Sequence, residues 1–267
     1  MTAHLPDRAL ISLQGPDAAE WLQGLVTQNM LDLGPDELRH TSILTPQGKL
    51  LADFLVGAVE GGLLLDVAAS ERDGLIARLG MYRLRAQVTL SPMAGDVYAL
   101  WGDEAQLGLS DPRMGALGRR LLAPATPPVT NASLADHIRH RRALGVAEAA
   151  ADGLADKVYP IEANYDLLNG IDFRKGCFVG QETTSRMKRR GTVKSRILPF
   201  TSADVTAGDE VLNGTLRAGE VLAAADGVGL GLFRLDRLDG ELSVHEHGLE
   251  VTIPNWIEAT PPSTGQS

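Results

Sequence analysis

One cysteine, Cys177, in a chain of 267 residues excludes an internal disulfide. It also excludes a four-cysteine metal site held by a single chain. Aromatic residues are scarce at 4%, so leucine, valine and alanine must fill most of a core that 44% hydrophobic content can still build without staples. No stretch approaches the roughly 20 uncharged apolar residues that cross a bilayer. The first residues, MTAHLPDRAL, lack the basic segment and apolar run of a secretory signal. G-x-S-x-G, Walker, H-E-x-x-H and dinucleotide-binding motifs are all missing. Positive charge is in short supply too. The formal net charge of −9 argues against a direct nucleic-acid partner, because phosphate neutralisation needs a basic surface. These absences describe a soluble, cytoplasmic monomer in a reducing compartment, with no membrane partner and no metal of its own.

The chain that remains reads as α+β. GPDAAEWLQGLVTQN predicts a first helix, with Pro16 in its first turn, Asp17 and Glu20 near its positive end and Leu22, Leu25 and Val26 on one face. TSILTPQGKLLADFLVGAVEGGLLLDVA is strand-like around Pro46-Gln47-Gly48 and again after Gly61-Gly62, and Ser70 then caps a helix reaching roughly Leu84. A second unit starts near Val88, with strands at VYALW and GRRLLA. A helix follows, from Asn131 or Ser133 to a stop at Gly145. Residues 153–182 read as irregular. From Lys194 onward, short strands separated by Asn213-Gly214 and other glycine-rich turns predict a small antiparallel barrel. The expected units are 1–87, 88–193 (with interleaving allowed between these two), 194–258 and a disordered tail at 259–267.

Three groups of residues carry candidate chemistry. Cys177 lies in RKGCFVGQE beside Arg174 and Lys175, and neighbouring cations favour a thiolate. Gly176 and Gly180 permit tight backbone approaches, while Gln181 and Glu182 can open a helix whose dipole favours an anion. A small buried residue in a tight turn is the alternative reading of this thiol. Glu162, in KVYPIEANYDLLNGIDF, is either a surface glutamate or an acceptor for the N–H edge of a heterocycle. RMKRRGTVKSR, residues 186–196, is either a solvated loop or a cationic strip that gathers an anion. His245 and His247 would share one face of a strand, yet no third metal ligand is in view. His137 and His140, among Arg139, Arg141 and Arg142, read as a solvated helix face.

Lys175 to Glu182, K-G-C-F-V-G-Q-E, resembles the K-G-C-[FY]-x-G-Q-E signature of the YgfZ proteins, folate-binding relatives of the glycine cleavage aminomethyltransferase. GPDAAEWLQGLVTQN, LTPQGKLLADFLV and PIEANYDLLNGIDF resemble successive stretches of the same family, so the likeness covers roughly residues 5 to 258. It implies an aminomethyltransferase-like, multi-domain ring around a central cleft, closed by a C-terminal antiparallel β-barrel. It further implies tetrahydrofolate or a one-carbon derivative as cofactor, and iron–sulfur client enzymes, a tRNA-modifying one included, as partners. Cys177 becomes the functional thiol. Glu162, Asp53, Asn29, Lys175, Gly176, Gly180, Gln181 and Glu182 become the folate-cleft residues. Two departures stand out: Thr27-Gln28-Asn29 replaces the family's T-N-D, and Ala52-Asp53 replaces the acidic pair of true aminomethyltransferases. The missing acid counts against aminomethyl transfer, which needs placed proton-transfer groups. A folate-gated docking module without covalent chemistry is the other alternative.

Overall fold

The computed structural model describes residues 1–102, 106–191, 193–245 and 247–258. The tail expected to be disordered, 259–267, lies outside them. One antiparallel sheet has the order β3 (Leu38–Leu44), β4 (Leu50–Val59), β5 (Gly62–Ala68), β2 (Arg8–Gln14), β6 (Thr89–Met93). A smaller one has the order β1 (Thr2–His4), β7 (Val97–Leu100), β9 (Arg119–Leu122), β8 (Leu109–Ser110). The chain is sewn between them. Thr2–His4 pair with Tyr98–Leu100, whereas Thr89–Met93 pair with Leu10–Gln14.

The helices differ in detail from the sequence expectation, and each difference has a cause. The first is only α1 (Ala18–Gln23): it ends at Gly24, where the Leu25 and Val26 N–H groups both turn to Leu22 O (2.9 and 3.2 Å), and at its start the Asp17 carboxylate accepts from the Gln87 N–H (2.7 Å) in place of a cap. The second, α2 (Arg72–Gly80), starts from Glu71 and leaves Ser70 exposed. It stops four residues short of Leu84, where the chain turns through a left-handed Leu84. The third, α3 (Leu134–Ala143), is closed by a capping box between Ser133 and Asp136 and by Gly145 at φ +76°. Its polar face is not solvated. His137, Arg141 and Arg142 are buried, His140 is half-buried and stacks on Trp101 at 5.4 Å, and Arg139 is the exposed one of these five residues.

Six strands close the C-terminal barrel, β10 (Ser195–Thr201), β13 (Val228–Arg234), β12 (Leu216–Ala225), β11 (Glu210–Asn213), β14 (Leu242–Val244) and β15 (His247–Val251), in that order. Phe200 and Phe233 meet edge to face at 6.2 Å inside it, and Gly229 and Gly231 leave the room these rings occupy. His245 is not on a strand. It sits in the β14–β15 turn at φ +47° and bonds Asp209 (3.1 Å), so it shares no strand face with His247.

Between the two sheets lies a buried ionic cluster. Glu148 is its hub, with Arg113 at 2.6 Å, Arg8 at 3.5 Å, Arg141 at 3.8 Å and Arg120 at 3.9 Å. Asp66 holds Arg8 (2.7 Å), Asp111 holds Arg113 (2.8 Å), and Asp152 holds Arg141 and Arg142. Burial alone would raise the carboxylate pKa values, but the arginines outweigh it, bringing Asp111 to about 2 and Glu148 well below its ordinary range. The unfolded carboxylates titrate near pH 4. The stability these groups add is therefore complete above that pH and is lost as pH falls toward 2. Glu148→Gln is expected to lower stability by about 3–5 kcal/mol in urea unfolding at pH 7 and to flatten the acid limb of stability against pH. An unchanged urea midpoint would mean that the cluster does not hold the sheets together.

Candidate functional site

Residues 170–180 form a clasped turn. Lys175 is buried, and its ammonium donates to the carbonyls of Gln23 (2.6 Å), Val26 and Gln28 (3.0 Å). These carbonyls follow the C-terminal end of α1, where a helix leaves acceptors unpaired and its dipole favours a cation. All three donors of the ammonium are thereby used. Burial depresses the amine to about 8, with the charge of Asp172 pulling the other way. Further straps run between the same two segments. The Asp172 N–H donates to Thr27 O (3.1 Å), Thr27 Oγ1 to Gly170 O (2.6 Å) and Gln28 Nε2 to Asn169 O (2.7 Å).

Phe178 is buried on the other side of the turn, its ring 5.2 Å from Lys175 Nζ. Between these two anchors Gly176 and Cys177 stand exposed. The thiol is thus at the tip of a fixed turn, and the buried-cysteine alternative falls. Lys175 contributes anchorage; its donors are spent on backbone, which leaves none for a ligand.

The two glycines of the signature differ. Gly180 has φ +80°, and a Cβ there would lie 2.5 Å from Thr45 O and 2.9 Å from Leu44 Cβ. A hydrogen is the only substituent that lets the turn rest on the tip of the β3–β4 hairpin. At Gly176 a Cβ would meet nothing within 4 Å. Gln181 and Glu182 open α4 (Gln181–Arg190), Gln181 half-buried and Glu182 exposed in the first turn.

The basic strip is divided between elements: residues 186–190 end α4, and Ser195 and Arg196 open β10. Its inner members are held: Arg196 grips Asp166 through two bonds (2.9 and 3.2 Å), and Lys188 lies 3.7 Å from Asp166 and 5.2 Å over Phe173. Arg186, Arg189 and Arg190 face water.

Glu162 is half-buried. Its Oε2 accepts from the Tyr159 N–H (2.9 Å), and burial raises its pKa against the pull of that bond and of Lys49. Asp53 is placed differently. Its Oδ1 accepts from the Ala149 N–H (2.6 Å) and its Oδ2 lies 3.4 Å from His40 Nε2. Tyr165 stacks edge-on against His40 at 4.5 Å; its buried hydroxyl makes no hydrogen bond of normal geometry, and burial, with the charge of Asp53, raises its pKa. Asp53 also lines a cavity of about 100 Å³ with Asp7, Arg8, Ser70 and Glu148. Asn29 serves a local turn, its Oδ1 accepting from the Leu31 N–H (3.2 Å).

The structure thus gathers Lys175, Cys177, Gly180, Gln181 and Glu182 at one turn. Among the described residues, no hydrogen bond or ion pair joins Glu162, Asp53 or Asn29 to residues 174–182. Sequence reasoning missed Glu148 and His40; a lone acid between alanines, at Ala147-Glu148-Ala149, was the available signal.

Two substitutions test the clasp. Lys175→Met keeps the apolar stem and leaves three carbonyls without their donor, so urea unfolding should show a loss of about 2–4 kcal/mol. Gly180→Ala should cost about 1–3 kcal/mol while Gly176→Ala stays within about 0.5. Equal effects at the two glycines would remove the argument from close approach.

Comparison with known proteins extends this description. The family described as "CAF17, C-terminal beta-barrel domain" matches residues 188–259, which hold the barrel. The aminomethyltransferase T of the glycine cleavage system from Bartonella henselae superposes with a TM-score of 0.77 at 16% identity, over 96% of this chain and 86% of that one. The fold is therefore aminomethyltransferase-like. "Iron-sulfur cluster assembly factor IBA57 homolog, mitochondrial" from Pyricularia oryzae is 37% identical over 78% of this chain, and its Neurospora crassa counterpart 34% over 73%. The chain spans only 59% and 52% of the length of those two fungal relatives. "Iron-sulfur cluster assembly factor IBA57, mitochondrial" from Homo sapiens is 30% identical over 94% of this chain and 84% of its own. These relatives overturn the cytoplasmic expectation: they are named mitochondrial. With that likeness running through the sheets, the signature turn and the barrel alike, the chain belongs to the IBA57 family.

Proposed function

We propose that this protein supports the assembly or repair of iron–sulfur cluster enzymes, with Cys177 as its working thiol and tetrahydrofolate as its ligand. The observation that carries the reading is the clasped turn. A chain with one thiol exposes it between two buried anchors, in a family named for iron–sulfur cluster assembly. The YgfZ-like signature adds the folate and a tRNA-modifying enzyme among the clients.

The donor set of the chain fits a folate on one side. Glu162 commits one carboxylate oxygen to Tyr159 and keeps the other without a partner among the described residues. A half-buried acceptor of this kind suits the N–H edge of a pterin, through a charge-assisted hydrogen bond. The cavity at Asp53 holds roughly three waters and is too small for a folate. Bound at Glu162, tetrahydrofolate would supply a one-carbon carrier. The chain's own contribution is to orient the ring through Glu162 and to keep Cys177 accessible on its fixed turn. Aminomethyl transfer is the weaker alternative, because Ala52 is no acid and both oxygens of Asp53 are engaged.

Calorimetric titration with tetrahydrofolate should give binding in the micromolar range, about −8 kcal/mol, and Glu162→Ala should weaken it at least about tenfold. Normal binding by that variant would remove Glu162 from the site. Cys177→Ser should keep the folate affinity and lose support of an iron–sulfur client; a client served equally well would reduce the protein to a docking module.

A further inference from the structure

Gly80 to Arg85, the turn after α2, is exposed at every residue. Leu84 is 90% exposed, Met81 68% and Tyr82 41%, three large apolar side chains within four positions. Other exposed apolar residues among those described, such as Val59, Val129 and Leu216, are scattered singly. Single ones are ordinary; a cluster is a contact surface waiting for a partner. The same turn carries Arg83 and Arg85, with Arg78 just before it, and none of the three pairs with a carboxylate among the described residues. In a chain of net charge −9 that is unusual spare positive charge.

This turn adjoins the signature. Arg78, Leu79 and Tyr82 line a small cleft together with Val179, two residues from Cys177. The Tyr82 carbonyl accepts from Trp21 Nε1 (3.0 Å), tying the turn to α1, whose end Lys175 clasps. Past Val179, α4 continues the exposed positive surface through Arg186, Arg189 and Arg190.

We propose that residues 78–85 and the signature turn form one docking face for an acidic protein partner, which seats an apolar side chain on Met81, Tyr82 and Leu84 and so brings its own reactive group to Cys177. The partner's carboxylates complete the unpaired arginines. A polynucleotide fits less well, because the chain repels it as a whole and the apolar side chains have nothing to meet on phosphate. The proposal rests on the reading of Cys177 as a working thiol, and its test is arranged to separate the two.

Two short synthetic peptides serve as probes, one of glutamates around a Leu-Leu centre, one of lysines around the same centre. Each ends in a cysteine carrying thionitrobenzoate as a mixed disulfide. The Cys177 thiolate attacks the peptide sulfur, forms the protein–peptide disulfide and expels coloured thionitrobenzoate, so absorbance reads the rate. The acidic peptide should react at least about tenfold faster than the basic one at low salt, with the ratio shrinking as salt rises. Arg83→Glu combined with Arg85→Glu should reverse that preference, and Leu84→Ser should slow both peptides. Arg217→Glu, on the barrel, should change neither rate, and unchanged melting curves show that these exposed variants fold. Equal rates for both peptides, or a preference untouched by the arginine changes, overturns the docking face. Capture of phosphatidylglycerol vesicles by the wild type, lost in the arginine variant, overturns it in favour of a membrane. A Cys177→Ser protein that still serves an iron–sulfur client, while the arginine variant does not, discards the thiol reading and retains the face.

Discussion

One carboxylate surrounded by four arginines sets the terms for the rest of this molecule. Glu148 reaches Arg8 on the larger sheet, Arg120 on the smaller one, Arg113 beside it and Arg141 on α3. Removing charges from water costs several kcal/mol each, and only mutual contact recovers it. The elements that bring these residues have little freedom to move apart, because separation strands a charge in a dry interior. Not every group is satisfied: Arg120 keeps Nε and Nη1 without hydrogen bonds. The cluster is better understood as fixing one arrangement of the sheets than as a source of large net stability.

The same logic appears on a smaller scale at the signature. A buried ammonium with only carbonyl partners is an expensive choice, and the depressed pKa of Lys175 measures that expense. What it secures is position. The end of α1, the hairpin tip and the start of α4 are tied to one turn, so the thiol at its crest has a defined direction and defined neighbours. A rigid frame under an accessible atom is the arrangement expected where another molecule must find that atom reliably.

Much of this was legible in the sequence where the physics is local. The helix start near Ser133, the stop at Gly145 and the turn chemistry of the barrel depend on residues a few positions apart, and the eight-residue signature lies on a single turn. What escaped was decided by distant partners. Arg141 and Arg142 read as solvated because their acids, Glu148 and Asp152, lie beyond the helix. Lys175 read as a neighbour of the thiol because its carbonyl partners are about 150 residues away. Asp17 read as a charge suiting the dipole of α1, and its bond to the distant Gln87 N–H was not legible; nor were the bonds of Asp53 to Ala149 and His40.

The exchange of strands between the sheets carries over into how the chain must fold. β1 leaves the first residues waiting for Tyr98–Leu100, and β2 cannot be covered on its outer side until Thr89–Met93 has been made. Contacts between segments so far apart are slow to form, because loop closure comes before any reward. On the ribosome, the first hundred residues would therefore emerge with a bare sheet edge, the state most prone to pairing with the wrong strand. The larger sheet is complete once Met93 has been made, whereas the smaller one must keep β1 unpaired until β7 and β9 arrive.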